Sequence, residues 1–157
     1  MSDLEAEAAR LPAWTRVAAY ALCLDPSDRL LLVRIAPGYP AVGKWTLPGG
    51  GLEFGEHPAD GLLRELKEET GLTGRIVSLA FVDSMTRGPM VEHGRAYGPW
   101  HGIRIVYRVE ITGGDLRDET DESTDLATWV PLAEARDLPI VDLVQVALDY
   151  LAGNRSA

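Results

Sequence analysis

Apolar residues recur along the chain in two periods. The stretch Trp14 to Leu24, rich in Val, Ala, Tyr, Leu and Cys, predicts a strand buried on both faces. Asp25-Pro26-Ser27-Asp28 is turn chemistry and Arg29 to Ile35 reads as a second strand, so the pair predicts a hairpin. Pro37, Gly38, Pro40 and Gly43 mark a loop leading to Trp45-Thr46-Leu47-Pro48. Gly49-Gly50-Gly51 follows, where backbone can bend sharply and approach a ligand.

His57 to Thr70 switches to helical spacing. Ala59, Leu62, Leu63 and Leu66 share one face, Pro58 suits the first turn, and Gly71 suits the position past the end. Val77 to Asp83 returns to strand character. Ile103 to Ile111 alternates, with Ile103, Ile105, Tyr107, Val109 and Ile111 on one face and Arg104, Arg108 and Glu110 on the other. Between these two strands, Ser84 to Gly102 is too long for a tight turn and reads as a candidate ligand loop. Gly113-Gly114 turns the chain into an acidic segment ending at Asp125. Ala127 to Val130 then predicts a short strand, with a helical turn after Pro131. Ile140, Leu143, Val144, Ala147, Leu148 and Leu151 form the apolar stripe of a last helix. Strands mixed with two substantial helices imply an α+β domain in α/β/α layers. It spans residues 14–153, with an N-terminal arm at 1–13 and a tail at 154–157.

Composition narrows the function classes. The 157 residues suit one domain with a real core. Fifteen Lys and Arg against 24 Asp and Glu leave a net charge of −9, which disfavours a surface for bulk nucleic acid. The longest apolar run, Val17 to Leu24, is eight residues, far short of a membrane span. Met1-Ser2-Asp3-Leu4-Glu5 is acidic with no apolar run behind it, so no secretory signal is expected. The single cysteine, Cys23, cannot form an internal disulfide, and between Leu22 and Leu24 it reads as core. A cytoplasmic setting is the expectation.

The helix at 57–70 carries more carboxylates than its local physics explains. Glu65, Glu68 and Glu69 stand at i, i+3 and i+4 and crowd one stripe. A like-charged pair at this spacing costs roughly 0.2–0.5 kcal/mol. Glu68 and Glu69 also fall in the last turn, where the macrodipole opposes them. One reading is a solvated face, with Arg64 pairing Glu68. The other is a divalent cation, since Mg²⁺ prefers carboxylate oxygens and is often shared with substrate phosphates.

The flanking residues favour the cation. Gly50, Glu56, Arg64-Glu65-Leu66, Glu68-Glu69 and Gly71-Leu72 stand as G-x5-E-x7-R-E-L-x-E-E-x-G-L. These nine fixed positions within 23 residues resemble, without a departure, the signature of the Nudix hydrolase family. The resemblance implies a mixed sheet sandwiched between helices. It also implies a pyrophosphohydrolase that requires Mg²⁺ or Mn²⁺ and acts on a small-molecule nucleoside diphosphate derivative, with (deoxy)nucleoside triphosphates among the candidates.

Carried residue by residue, the resemblance makes Glu68 and Glu69 the main metal ligands. Glu65 becomes a ligand or the base that activates water, and Glu56 the holder of a further ion or its water. A main-chain carbonyl at Gly49 or Gly50 completes the set, and Arg64 orients the glutamates. A downstream acid, Glu119 or Glu122, is the rival for the base, though that segment also reads as a solvated loop.

Substrate contacts carry two readings each. Arg34 sits where the family often places a phosphate-contacting arginine, or it simply caps a strand. Trp45 either stacks on a base or packs beside its turn, and Tyr97 in the long loop is a candidate for the nucleobase. Two alternatives in function accompany this reading. One is a non-catalytic sensor of a nucleotide such as ADP-ribose. The other is an enzyme of the same family acting on ADP-ribose, nucleotide sugars or dinucleoside polyphosphates. The last helix is compatible with a monomer or a homodimer.

Overall fold

Alternate residues along the first strand, β1 (Trp14–Leu22), feed two separate cores. Ala19, Ala21 and, just beyond the strand, Cys23 point one way; Tyr20 and Leu22 point the other. The structure, a computed structural model, describes residues 1–120 and 122–155. Asp121 of the acidic segment, and Ser156 and Ala157 of the expected tail, lie outside the described residues.

Before β1 comes a helix, α1 (Asp3–Arg10). After it come β2 (Arg29–Ile35), β3 (Trp45–Thr46), β4 (Gly49–Gly51), α2 (Pro58–Thr70) and β5 (Leu72–Arg87). A small hairpin, β6 (Met90–Glu92) with β7 (Arg95–Tyr97), precedes β8 (Trp100–Gly114), β9 (Thr124–Pro131), α3 (Leu132–Ala135) and α4 (Asp142–Arg155). The larger sheet has the order β4-β1-β8-β5, with β1 parallel to β8 and the other pairs antiparallel. A second sheet runs β3-β2-β9, all antiparallel. The side of α2 is filled by Leu62 and Leu66 against Ala19, Ala21, Leu31 and Val109. The side of α3 and α4 is filled by Leu143, Val144, Ala147 and Leu151 against Leu22, Leu30, Leu32 and Val106. Helices therefore cover the larger mixed sheet and the antiparallel one from both sides, the expected layering.

Several expectations are corrected. The runs at 14–24 and 29–35 do not form a hairpin: beyond one bridge, Leu24 to Leu30, they part into different sheets. Both edges of β1 are taken by β4 and β8, and both edges of β2 by β3 and β9. Ser84 to Gly102 is not an open loop. Strand β5 runs on to Arg87, β8 begins at Trp100, and β6 with β7 occupies the space between. Gly49 to Gly51 is an edge strand paired with Ala18 to Tyr20, and only Gly49 takes a positive φ, 146°. A Cβ on Gly49 would lie 2.2 Å from the Ala19 carbonyl oxygen, so the bare backbone permits this approach. The N-terminal arm, expected as a loose arm or a short helix, takes the helical form, capped by Ser2 and docked on β6 and β7. At the other end α4 continues to Arg155, so the expected tail begins within the helix.

Candidate functional site

Helix α2 is set at both ends by its own sequence. His57 Nδ1 accepts a hydrogen bond from the Ala59 N–H at 3.1 Å, and Pro58 follows in the first turn. Gly71 closes the helix at φ 77° and donates its N–H to the Lys67 carbonyl. With Leu62 and Leu66 buried against the sheet, the glutamate stripe is aimed at the neighbouring backbone of β4.

Three glutamates then meet three different surroundings. Glu69 is 2% exposed and accepts one long hydrogen bond, 3.4 Å from the Gly49 N–H. Glu65 lies against Gly50, where an added Cβ would sit 3.1 Å from its Oε1. The side chain of Glu68 is half exposed. Burial, followed by the negative charge of Glu65, pushes the Glu69 carboxyl well above its ordinary range.

Arg64 gathers the others. Its Nε and Nη2 donate to both oxygens of Glu56 at 2.9 Å, and its Nη1 donates to Glu65 at 3.1 Å and Glu68 at 3.3 Å. This fork and the Glu53 N–H hold the Glu56 carboxyl down to about 2. Glu56 reaches the helix only because residue 61 is glycine. A Cβ there would lie 2.6 Å from Glu56 Oε1 and 2.7 Å from Leu52 Cδ2. The resemblance did not single out Gly61; its signal was a glycine inside a strong helix, where it costs about 1 kcal/mol relative to alanine.

The downstream acids separate. Glu119 is half-buried, accepts from the Thr124 hydroxyl at 2.8 Å, and is pushed upward by burial and by the charges of Glu122, Glu65 and Glu68. Glu122 is exposed. The fold therefore brings Glu119 towards the helix glutamates. Among the described residues no three His, Cys, Asp or Glu side chains form a ready-made metal cage, since Arg64 engages Glu56, Glu65 and Glu68. Glu69 is left out of that engagement. A carboxylate so deeply buried, beside Glu65 and without a cation of its own, is a donor set that suits a hard divalent ion.

Each expected substrate contact has partners within the fold. Arg34 forms a two-pronged ion pair with Asp125, at 2.9 and 3.0 Å. Trp45 packs on the core beneath α4, and its backbone bonds to Pro139 and Val141. Tyr97 lies in the small hairpin with the Arg95 guanidinium 5.7 Å from its ring centre. Arg104, assigned by alternation to a polar face, is 8% exposed and paired with Asp83 and Asp142.

Comparison with known proteins identifies the family. Residues 14–148 match the profile of the NUDIX domain. The 8-oxo-dGDP phosphatase of Homo sapiens is 33% identical over 136 residues, 83% of this chain and 38% of that protein. The ADP-ribose pyrophosphatase of Methanocaldococcus jannaschii is 33% identical over 99 residues, 62% of this chain and 53% of that protein. The aligned stretch thus spans about half or less of these two relatives. A solved NUDIX hydrolase from Nitrosomonas europaea superposes with a TM-score of 0.71 at 25% identity, covering 89% of this chain and 90% of that one. With a complete signature running from β4 through α2 to the start of β5 and a domain match over most of its length, the chain belongs to the Nudix hydrolase family.

Proposed function

We propose that the chain is a pyrophosphohydrolase dependent on Mg²⁺ or Mn²⁺, which cleaves the diphosphate of a small nucleoside diphosphate derivative. The observation that carries this reading is Glu69, a glutamate 2% exposed that faces Glu65 and makes no ion pair with a Lys or Arg among the described residues. An isolated buried carboxylate is costly, and a site that keeps one is built for a positive partner.

Glu65, Glu68 and Glu69 hold the ion, with main-chain oxygen at Gly49 or Gly50 completing the set. A divalent ion bound there supplies polarisation of the phosphoryl oxygens and lowers the pKa of coordinated water. Glu56, fixed by Arg64, stands behind these ligands and holds that guanidinium in place. Of the candidate bases, Glu119 is favoured over Glu65. It approaches from a separate segment and makes no ion pair with Arg64, whereas Glu65 is engaged by it. Glu122 is exposed and acts on Glu119 only through its charge. At −9 the protein repels polyphosphates, which makes a bridging cation necessary for binding as well as for chemistry.

Relatives named for 8-oxo-dGDP and for ADP-ribose, both nucleoside diphosphate compounds, support this substrate class. The lead-in Trp45-Thr46-Leu47-Pro48-Gly49-Gly50 resembles that of the nucleoside triphosphate-cleaving branch of the family, which inclines the choice towards nucleoside triphosphates. The test is a panel of nucleoside triphosphates, nucleotide sugars, ADP-ribose and dinucleoside polyphosphates assayed with Mg²⁺ for released phosphate, pyrophosphate and monophosphate. Glu68→Gln should abolish turnover and leave the circular dichroism spectrum intact. Near-parental turnover in that variant overturns the metal assignment.

A further inference from the structure

The face of the larger sheet that carries Val106 is covered by α4 only in part. Directly paired residues present their side chains on the same face. Trp14 and Arg16 of β1, Trp100, Gly102 and Arg104 of β8, and Gly51 of β4 therefore share this face near the start of β1 and β8. Asp142, the first residue of α4, reaches Arg104, and beyond that point the sheet is open enough to leave Trp14 44% exposed.

Two glycines let two planar groups settle on the strands. A Cβ at Gly102 would lie 2.8 Å from Trp100 Cη2 and 2.9 Å from Cζ2, so the indole lies across that residue. A Cβ at Gly51 would lie 3.2 Å from Arg16 Nε and 3.5 Å from Cζ, so the guanidinium lies across the edge strand. Trp14 adds a second indole, its ring centre 6.0 Å from that of Trp100 and tilted by 54°.

None of these groups is consumed by the fold's polar bonding. Arg16 is half-buried and makes no hydrogen bond or ion pair among the described residues. Trp100 Nε1 is buried with no acceptor among them, so its ring is placed by packing alone. At the inner end Arg104 is fixed by Asp83 and Asp142, which gives the shelf a polar wall. Gly50 and Gly51 are consecutive in an edge strand and face opposite sides, Gly50 towards Glu65 and Gly51 towards Arg16. The Arg16 end of the shelf and Glu65 thus lie on opposite sides of one edge strand, with Trp14 and Trp100 further along β1 and β8.

We propose that Trp14, Trp100 and Arg16 form the base-binding shelf of this enzyme, on which the planar ring of the nucleotide stacks while its phosphates pass the edge of β4. The part concerning phosphates rests on the hydrolase reading above; the stacking does not. Stacking on aromatic and guanidinium planes grows with ring area, so purines bind better than pyrimidines, and the base rather than the sugar supplies most of the affinity.

The test is calorimetric titration of the full chain, in Mg²⁺, with AMP, GMP, CMP, UMP and, as a base-free control, ribose 5-phosphate. AMP and GMP should bind more tightly than CMP and UMP, and ribose 5-phosphate at least about tenfold more weakly than AMP. Trp14→Leu and Arg16→Gln, both at solvent-accessible positions, should each weaken AMP and GMP by about tenfold, with Trp14→Phe restoring most of the loss. Ribose 5-phosphate binding as well as AMP, variants binding as the parent does, or no nucleotide binding at all would each overturn the shelf. Hydrolysis of the substrate panel, measured on the same preparation, separates the two readings. Base-dependent binding without any hydrolysis supports the shelf and defeats the hydrolase, whereas hydrolysis with unaltered binding in the variants defeats the shelf alone.

Discussion

Arg64 holds both carboxylate oxygens of Glu56, with Nε donating to Oε2 and Nη2 to Oε1, each at 2.9 Å. The third nitrogen, Nη1, serves Glu65 and Glu68, so one guanidinium balances three carboxylates. Arg64→Ala should therefore lower the thermal midpoint by several degrees, since it leaves those three charges facing one another without a cation. Arg64→Lys should recover only part of the loss, because an ammonium is a point charge and cannot fork across two oxygens. Differential scanning calorimetry in chelator reads both variants, and full recovery in the lysine variant would count against the fork.

Glu69 makes the opposite prediction. Burial raises its carboxyl above the ordinary range, so the folded state holds that proton more tightly than the unfolded chain does. Its contribution is favourable below the unfolded value of about 4.3 and is lost as pH rises through the raised folded value. Glu69→Gln lacks this loss. In chelator the variant should be more stable than the parent at pH 8, with the gap closing as pH falls towards 5, while turnover in Mg²⁺ disappears. Urea melts at several pH values measure the gap, and a constant difference across that range would contradict the buried-charge account.

Gly61 tests the packing beneath Glu56. An exposed helix glycine changed to alanine usually gains about 1 kcal/mol. Here the new methyl would meet Glu56 Oε1 at 2.6 Å and Leu52 Cδ2 at 2.7 Å. Gly61→Ala should instead destabilise by about 1–3 kcal/mol, the usual cost of overpacking. It should also raise the Mg²⁺ concentration needed for half-maximal turnover, because Glu56 and with it Arg64 are displaced. Chemical denaturation and a magnesium titration check the two halves separately.

Local signals were legible in the sequence wherever one element decides its own shape. Strand β2 runs from Arg29 to Ile35 as its composition indicates, and α2 begins and ends at His57 and Gly71 because capping is local chemistry. The glutamate stripe is legible for the same reason, since helical spacing alone puts Glu65, Glu68 and Glu69 together. What alternation cannot specify is which strand pairs with which. The turn at Asp25 to Asp28 looked like a hairpin, yet β1 and β2 each find both neighbours elsewhere. Gly88-Pro89, His93-Gly94 and Gly98-Pro99, within the stretch Ser84 to Gly102 that reads as one loop, bound the two short strands β6 and β7. The approach of Glu119 to the helix glutamates depends on the path of the chain after β8, which no local pattern records.

Arg104 shows how a long-range partner reverses a local reading, and it yields the last prediction. The strand pattern gave it a polar face, but that face packs beneath α4 and leaves the residue 8% exposed. Its charge is tolerated because Asp83 stands opposite on β5 and Asp142, 38 residues away, accepts from its guanidinium at the start of α4. The two kinds of deletion are not equivalent. Arg104→Leu leaves two carboxylates whose side chains are 24% and 57% exposed and can hydrate, so it should cost only about 1–2 kcal/mol. Asp83→Asn combined with Asp142→Asn leaves a guanidinium buried without a counter-charge and should cost about 3–5 kcal/mol. Acid gives an independent check. Arg104 holds the Asp142 carboxyl below its ordinary value, so the stability Asp142 contributes is present above about pH 4 and lost as pH falls through the folded value. Asp142→Asn should therefore flatten the stability profile below pH 4 and leave its slope between about pH 6 and 8 unchanged, and urea unfolding across that range decides it.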